Sequence, residues 1–249
     1  MPIITTSNGS ILVDSSGKAL IQEASPLDLP NLKLYLSATR MLQQTDGTNA
    51  PSFIDYSGNN YNATQGNASL QSLFKTNQFG TNAGLKFDGV DDIYTITDTT
   101  LLNSITNQFT FQYLAKRSTI SSNSQVFAFF SGSAQPIQAN MNSLGFINYS
   151  ITKAGTQYSL QIQSNDLNVH LIQMTLNTNG IVYCYLDGVN VGNFATPVGS
   201  INTSIACYIG YNGGTYGSAY LNGCSLSSSF SDTSVIQAQY RGYLSRGYL

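Results

Sequence analysis

The feature that most constrains this chain is a two-residue rhythm. Short runs of alternating apolar and polar side chains recur every 8–15 residues, with no helix-length pattern between them. The clearest runs are Leu32–Leu36, Leu85–Phe87, Tyr94–Ile96, Phe109–Leu114, Val126–Phe130 and Leu144–Tyr149, followed by Tyr158–Ile162, Val169–Leu176, Ile181–Leu186, Val191–Phe194, Ile205–Ile209 and Tyr220–Leu226. Alternation sends successive side chains to opposite faces of a strand. Phe109, Phe111 and Tyr113 therefore share one side while Thr110 and Gln112 take the other, and Tyr158, Leu160 and Ile162 repeat the scheme. Each such strand is expected to have one core face and one wet face, and twelve of them without intervening helices predict two packed antiparallel sheets. Composition agrees with strands and turns. Asn, Ser, Thr and Gln number 24, 31, 23 and 17 against 9% charged residues, so the surface is solvated by uncharged polar groups that disfavour long helices.

Two stretches depart from the rhythm at the start of the chain. Residues 3–21 read as a glycine-punctuated β ribbon, with Asn8-Gly9 and Ser16-Gly17 at its turns. A ribbon of two or three strands is marginal alone and needs a surface to lie on. Residues 22–30 carry two prolines and read as a linker, which divides the chain into an N-terminal arm (1–30) and a globular body (31–249). Within the body, residues 38–83 are rich in Asn, Gly, Gln and Ser and predict long loops at one end, where function tends to sit. After Ser231-Asp232, a capping pair, Val235, Ile236, Tyr240, Tyr243 and Leu244 recur at helical spacing; one short C-terminal helix is expected, interrupted at Gly242.

Charge and cysteine usage exclude several partners. A net charge of −2 provides no basic field to displace counterions from a phosphate backbone, so nucleic acid is not an expected partner. Nowhere do 18 apolar residues run together, and the start lacks a basic segment followed by an apolar one, so neither a membrane span nor a secretory signal is expected. Cys184, Cys207 and Cys224 are odd in number, and two of them lie in alternating apolar runs, as expected of free buried thiols.

Five phrases in order carry a resemblance: IDYSGNNYNAT (54–64), LKFDGVDDIYTI (85–96), FTFQYLAKRS (109–118), VHLIQMTLNTNGIVYCYLDGVNVG (169–192) and CYIGYNGGTYGSAYLNGCSLSSSFSDTSVIQAQY (207–240). Together they resemble the LamG-like jelly-roll family of the concanavalin A-like lectin/glucanase superfamily, as found in phage virion proteins. The resemblance implies an all-β, two-sheet antiparallel jelly-roll sandwich, here with an N-terminal ribbon and one short C-terminal helix. It also implies a tight hairpin at Leu186-Asp187-Gly188-Val189, where Asp-Gly supplies the positive φ of a right-twisted turn. The chain departs from that family at Gly223, which is followed by Cys224-Ser225 where an acid is common, and in having no Trp.

Glucanases of this superfamily cleave with clustered carboxylates, yet this chain has a single Glu, Glu23, in the linker; such a hydrolase is excluded and no enzyme is expected. The one histidine, His170, lies in an apolar strand and reads as structural. Asp91 and Asp92, with Asp46 and Asp55 in polar loops, are candidate Ca²⁺ ligands, since LamG-like relatives hold calcium at a sandwich rim; the alternative is that Asp88-Gly89 makes a turn that Asp91 and Asp92 cap. Tyr211, Asn212 and Tyr216 place rings and an amide on a Gly-rich segment suited to carbohydrate. The expected function is a non-enzymatic structural or attachment protein of a bacteriophage particle: a head decoration, fibre or tail-associated module. Its arm would engage other virion proteins, its sandwich would meet a host-surface glycan, and it would assemble as a homo-oligomer such as a trimer. The alternative is a carbohydrate-binding module of a bacterial surface or secreted protein.

Overall fold

The computed structural model describes residues 25–119, 124–131, 134–142, 144–199, 201, 207–212 and 215–249, so the ribbon expected over 3–21 lies outside the described residues. The first strands are β1 (Leu32–Ser37), β2 (Ser52–Phe53), β3 (Ala63–Thr64), β4 (Leu73–Phe79), β5 (Asn82–Asp88) and β6 (Tyr94–Ile96). A one-turn helix α1 (Thr100–Asn103) leads to β7 (Phe109–Arg117), β8 (Ser124–Ser131), β9 (Ala134–Met141), β10 (Phe146–Lys153), β11 (Thr156–Gln163) and β12 (His170–Leu176). The chain closes with β13 (Ile181–Leu186), β14 (Val189–Ala195), β15 (Cys207–Ile209), β16 (Tyr211–Asn212), β17 (Thr215–Tyr216), β18 (Ser218–Ser227) and helix α2 (Thr233–Ser245).

Two antiparallel sheets result. The first runs β14-β13-β12-β7-β18-β5-β4, with β1 beside β5 on the same edge of the long strand β18; the second runs β11-β10-β9-β8-β15-β6-β3-β2. Their facing sides interlock Leu34, Leu85, Phe87, Phe109, Phe111 and Tyr113 of the first with Tyr94, Ile137, Ile147, Tyr149, Cys207 and Ile209 of the second. This is the all-β sandwich expected. The hairpin at 186–189 also forms as expected, with Asp187 at φ +52°, Gly188 at φ +74° and Leu186 paired to Val189.

The expected wet face of the first sheet is not wet. β12 is buried at every position and β7 at all but one, because α2 lies over the outer side and forms a second core of Phe79, Leu114, Leu171, Tyr243 and Tyr248. Three amide side chains there form a chain, although Gln173 Oε1 and Thr175 Oγ1 are buried without a partner among the described residues. Gln173 donates to Gln112 (3.1 Å), Gln112 to Gln239 of α2 (3.5 Å), and Gln239 to the Ser25 carbonyl (2.8 Å). Alternation of type survives while alternation of exposure does not. α2 starts where the cap signal lies, Asp232 accepting the Ser234 and Val235 amides, but it continues through Gly242, which is buried, to Ser245. The lost side chain there is offset by packing.

The segment 38–83 is less loop-like than expected, since it contributes β2, β3 and β4 and short 3-10 turns at Ala38–Arg40 and Ala68–Leu70. Residues 25–30, part of the expected linker, pack on the body: Ser25 caps a 3-10 turn over Pro26–Asp28, and Ser227 donates to the Pro30 carbonyl. The run expected from Leu144 begins at Phe146, after Gly145 turns at φ +83°. Ile205 lies outside the described residues, and the strand there is Cys207–Ile209. All three cysteines are free and buried, as expected.

Candidate functional site

The two sets of site residues singled out by the sequence, about 120 residues apart, arrive at one rim. β5 leaves the first sheet at Asp88 and the chain crosses to the second sheet at Tyr94. Gly89 turns the corner at φ +86°. The crossing closes on its own carboxylates: the Val90 amide donates to Asp88 Oδ1 (2.8 Å), and the Asp88 amide donates to Asp92 Oδ2 (2.8 Å). Asp88, Asp91 and Asp92 each bring an oxygen within 4.8 Å of the others. The segment is a turn capped by Asp88 and Asp92 and a carboxylate cluster together. Asp88, assigned by sequence to the turn alone, is the third member. Asp46 and Asp55 are elsewhere, Asp46 accepting from Thr76 and facing Lys75 at 3.6 Å, and Asp55 holding the Tyr35, Ser57 and Tyr61 amides.

β15 lies beside β6, with Ile209 opposite Tyr94. Gly210 then turns at φ +85°, and a Cβ there would sit 2.5 Å from the Phe87 ring and 2.7 Å from the Asp92 carbonyl oxygen. Only glycine fits between them. The following Gly-rich stretch, read as a loop, is a small ribbon with Tyr211 opposite Tyr216 and Asn212 opposite Thr215, closed by the Gly217 amide donating to Gly210 (2.7 Å). The Tyr211 and Tyr216 rings meet at a tilt of 49° with centroids 5.0 Å apart, and Tyr208 meets Tyr211 edge-on at 5.9 Å, giving three linked, partly exposed rings. Tyr208 also stands in register with Thr95 of β6, which is itself opposite Thr64 of β3. Sequence reasoning missed Tyr208, although its alternation with Cys207 and Ile209 marks it as outward.

Beneath the turn is a cavity of about 270 Å³ lined by Asn49, Ser69, Gln71, Lys86, Asp88 and Asp92. Asn49, Ser69, Gln71 and Lys86 went unrecognised, the first three because they come from segments with no pattern of their own. Tyr94 holds one wall, its buried hydroxyl donating to the Ala50 carbonyl and meeting Ser72 Oγ at 2.9 Å.

Burial raises the Asp92 carboxyl to about 6, with the Asp88 amide opposing and the Asp88 and Asp91 charges adding to the rise. A carboxyl raised in the folded state binds its proton more tightly than the unfolded chain does, so its contribution is present at low pH and is lost as pH climbs from about 4 to 6. Asp92→Asn is expected to flatten that slope and to add on the order of 2 kcal/mol at pH 7 without calcium. Thermal melts from pH 4 to 7 measure this. The hard oxygen donors also fit Ca²⁺, held by Asp88, Asp91 and Asp92. Were Ca²⁺ held there, the order would reverse: millimolar Ca²⁺ would be expected to raise the Tm of the native protein above that of Asp92→Asn, and EDTA to undo the rise.

His170 sits apart from this rim in a closed bracket. Its Nδ1 faces Asp187 Oδ2 at 2.8 Å and its Nε2 faces Asp166 Oδ1 at 2.9 Å, with Ser164 Oγ at 3.3 Å. Burial pulls its pKa down, but the two carboxylates outweigh that and hold it above the ordinary histidine value. Asp166 occupies the nitrogen a nucleophilic serine would need, and Asp187 also accepts the Leu171 amide, so the cluster ties the 164–170 loop to the 186–189 hairpin.

No protein-family model matches the sequence, and no curated protein matches it. Solved structures do match the fold. The binding domain of botulinum neurotoxin DC in complex with SialylT aligns with a TM-score of 0.61 at 15% identity, covering 88% of this chain and 52% of that one. The binding domain of paraclostridial mosquitocidal protein 1 aligns at 0.64 and 11%, covering 88% and 53%. Trypanosoma rangeli sialidase in complex with the inhibitor DANA aligns at 0.60 and 14%, covering 92% and 34%. The chain thus spans about half the length of the first two and a third of the sialidase, and what it shares with them at these identities is the β-sandwich.

Proposed function

We propose that this chain is a non-enzymatic, lectin-like recognition module that binds a glycan at the rim formed by the 88–92 turn and the 208–216 segment. One observation carries the reading: the fold joins a carboxylate cluster, a small amide- and hydroxyl-lined cavity and three linked tyrosines at a single edge. Sugars offer hydroxyl pairs that carboxylates and amides bind, and C–H faces that stack on rings. The acids themselves speak against glycoside cleavage. They crowd one turn, with two of their oxygens committed to backbone amides, whereas glycoside cleavage needs carboxyls on opposite sides of one bond. Two of these structures are binding domains, one of them in complex with SialylT, which supports the reading by analogy of fold. A glycan array tests it. Tyr211→Ala and Tyr216→Ala are each expected to lower binding at least tenfold while the fold persists, and signals equal to the native protein would end the proposal.

The finer reading is an attachment or structural component of a bacteriophage particle, with the N-terminal arm as tether to other virion proteins and the sandwich displayed, in a homo-oligomer. An arm sequence that wants a partner and an uncharged polar surface support it. Because residues 25–30 belong to the body, removing residues 1–24 is expected to leave the melting transition in place while abolishing incorporation into particles. Recovery of the chain on a polysaccharide column, with none in particles, would favour the carbohydrate-binding module instead.

A further inference from the structure

A second cavity, of about 350 Å³, lies where the edge strands β1 and β2 approach each other, away from the 88–92 turn. It is built around Arg40. The guanidinium carbon lies 5.5 Å from the Tyr35 ring centre and 5.4 Å from that of Tyr56, whose hydroxyl donates to the Arg40 carbonyl (2.7 Å). The rings therefore fix the position of the cation while leaving its N–H groups uncommitted. Among the described residues Arg40 makes no side-chain hydrogen bond and no ion pair. The acid next to Tyr56 in sequence, Asp55, cannot supply one, because its oxygens already accept the Tyr35, Ser57 and Tyr61 amides and the Ser57 hydroxyl.

The remaining walls have two characters. Gln43, Gln44 and Ser52 provide amides and a hydroxyl, while Leu42, 89% exposed, and Ile54 provide an apolar side. In a chain with few charges, a held arginine without a counter-ion, beside amides and an apolar wall, is complementary to a ligand that carries its own anion, hydroxyls and a hydrocarbon face. A planar guanidinium fork matches a carboxylate with two parallel hydrogen bonds. The volume falls in the usual range for small-molecule sites, about 300–1,000 Å³.

We propose that this pocket binds the carboxylate-bearing residue of an acidic saccharide, with Arg40 holding the carboxylate, Tyr56 holding Arg40, and Gln43, Gln44 and Ser52 reading the ring hydroxyls. The site is independent of the tyrosine rim and stands or falls separately from it.

The test titrates methyl β-glucuronide and methyl β-glucoside, which differ only in the carboxylate, into the full chain by calorimetry or NMR. The glucuronide is expected to bind at least tenfold more tightly and to weaken as salt rises. Arg40→Gln should erase the difference between the two sugars, and Arg40→Lys, which keeps the charge and loses the fork, should retain only part of it. Both replacements are at an exposed side chain, and an unchanged melting temperature confirms that loss of binding is local. Tyr211→Ala should leave the glucuronide preference intact. Equal affinity for the two sugars, no binding of the glucuronide, or a preference that survives Arg40→Gln would each overturn the proposal.

Discussion

Gly210→Ala is expected to destabilise the protein by about 3–5 kcal/mol, the sum of a strained left-handed backbone and an overpacked contact. The φ of +85° alone disfavours any side chain, and the added methyl would strike the Phe87 ring at 2.5 Å and the Asp92 carbonyl at 2.7 Å. Neither can yield cheaply. Phe87 is in the main core, and the Asp92 backbone belongs to the carboxylate turn. For a chain of this size the melting temperature should fall by roughly 6–20 °C. Because the turn and the tyrosine ribbon meet at this glycine, glycan binding at the rim should fall with stability. Gly66→Ala is the control: its Cβ would have no neighbour within 4 Å, and the change should be nearly silent. A Gly210→Ala variant as stable as the control would mean that the rim is not assembled as described.

Tyr243→Ala is the second large effect, expected at about 3–5 kcal/mol. Tyr243 is only 4% exposed; it packs with Phe79, Leu114 and Leu171 and meets Tyr248 edge-on at 5.3 Å, so its removal opens a cavity under α2. Leu244, its neighbour in sequence, is 44% exposed, and Leu244→Ala should cost under about 1 kcal/mol. Denaturant unfolding of the pair distinguishes a helix that closes a second core from one that merely trails the sandwich. Equal effects of the two substitutions would favour the trailing helix.

Much of the sandwich was legible because strand alternation is a local signal. Ile181–Leu186 and Tyr94–Ile96 were placed to the residue, and the Asp187-Gly188 turn was readable because two consecutive positive φ angles suit few other pairs. β9 escaped because Pro136 and three amide side chains mask the inward set Ile137, Ala139 and Met141. The covered face of the first sheet was not legible at all. Thr110, Gln112, Gln173 and Thr175 look solvent-facing in sequence, and only the arrival of α2 about 60–120 residues later buries them. The rim was half legible: Asp91, Asp92, Tyr211 and Tyr216 announce themselves by type, whereas Asn49, Ser69 and Gln71, like Arg40 in the second cavity, acquire meaning only from neighbours that the fold supplies.

The three sulfur atoms have a consequence of their own. Cys184, Cys207 and Cys224 lie within the sandwich, and burial pushes each thiol far above its ordinary pKa, so the nucleophilic thiolate is suppressed. The native protein is therefore expected to melt at the same temperature with and without reduced glutathione. An added thiol-reactive dye becomes a clock for breathing of the interior, colouring only those copies whose layers have parted.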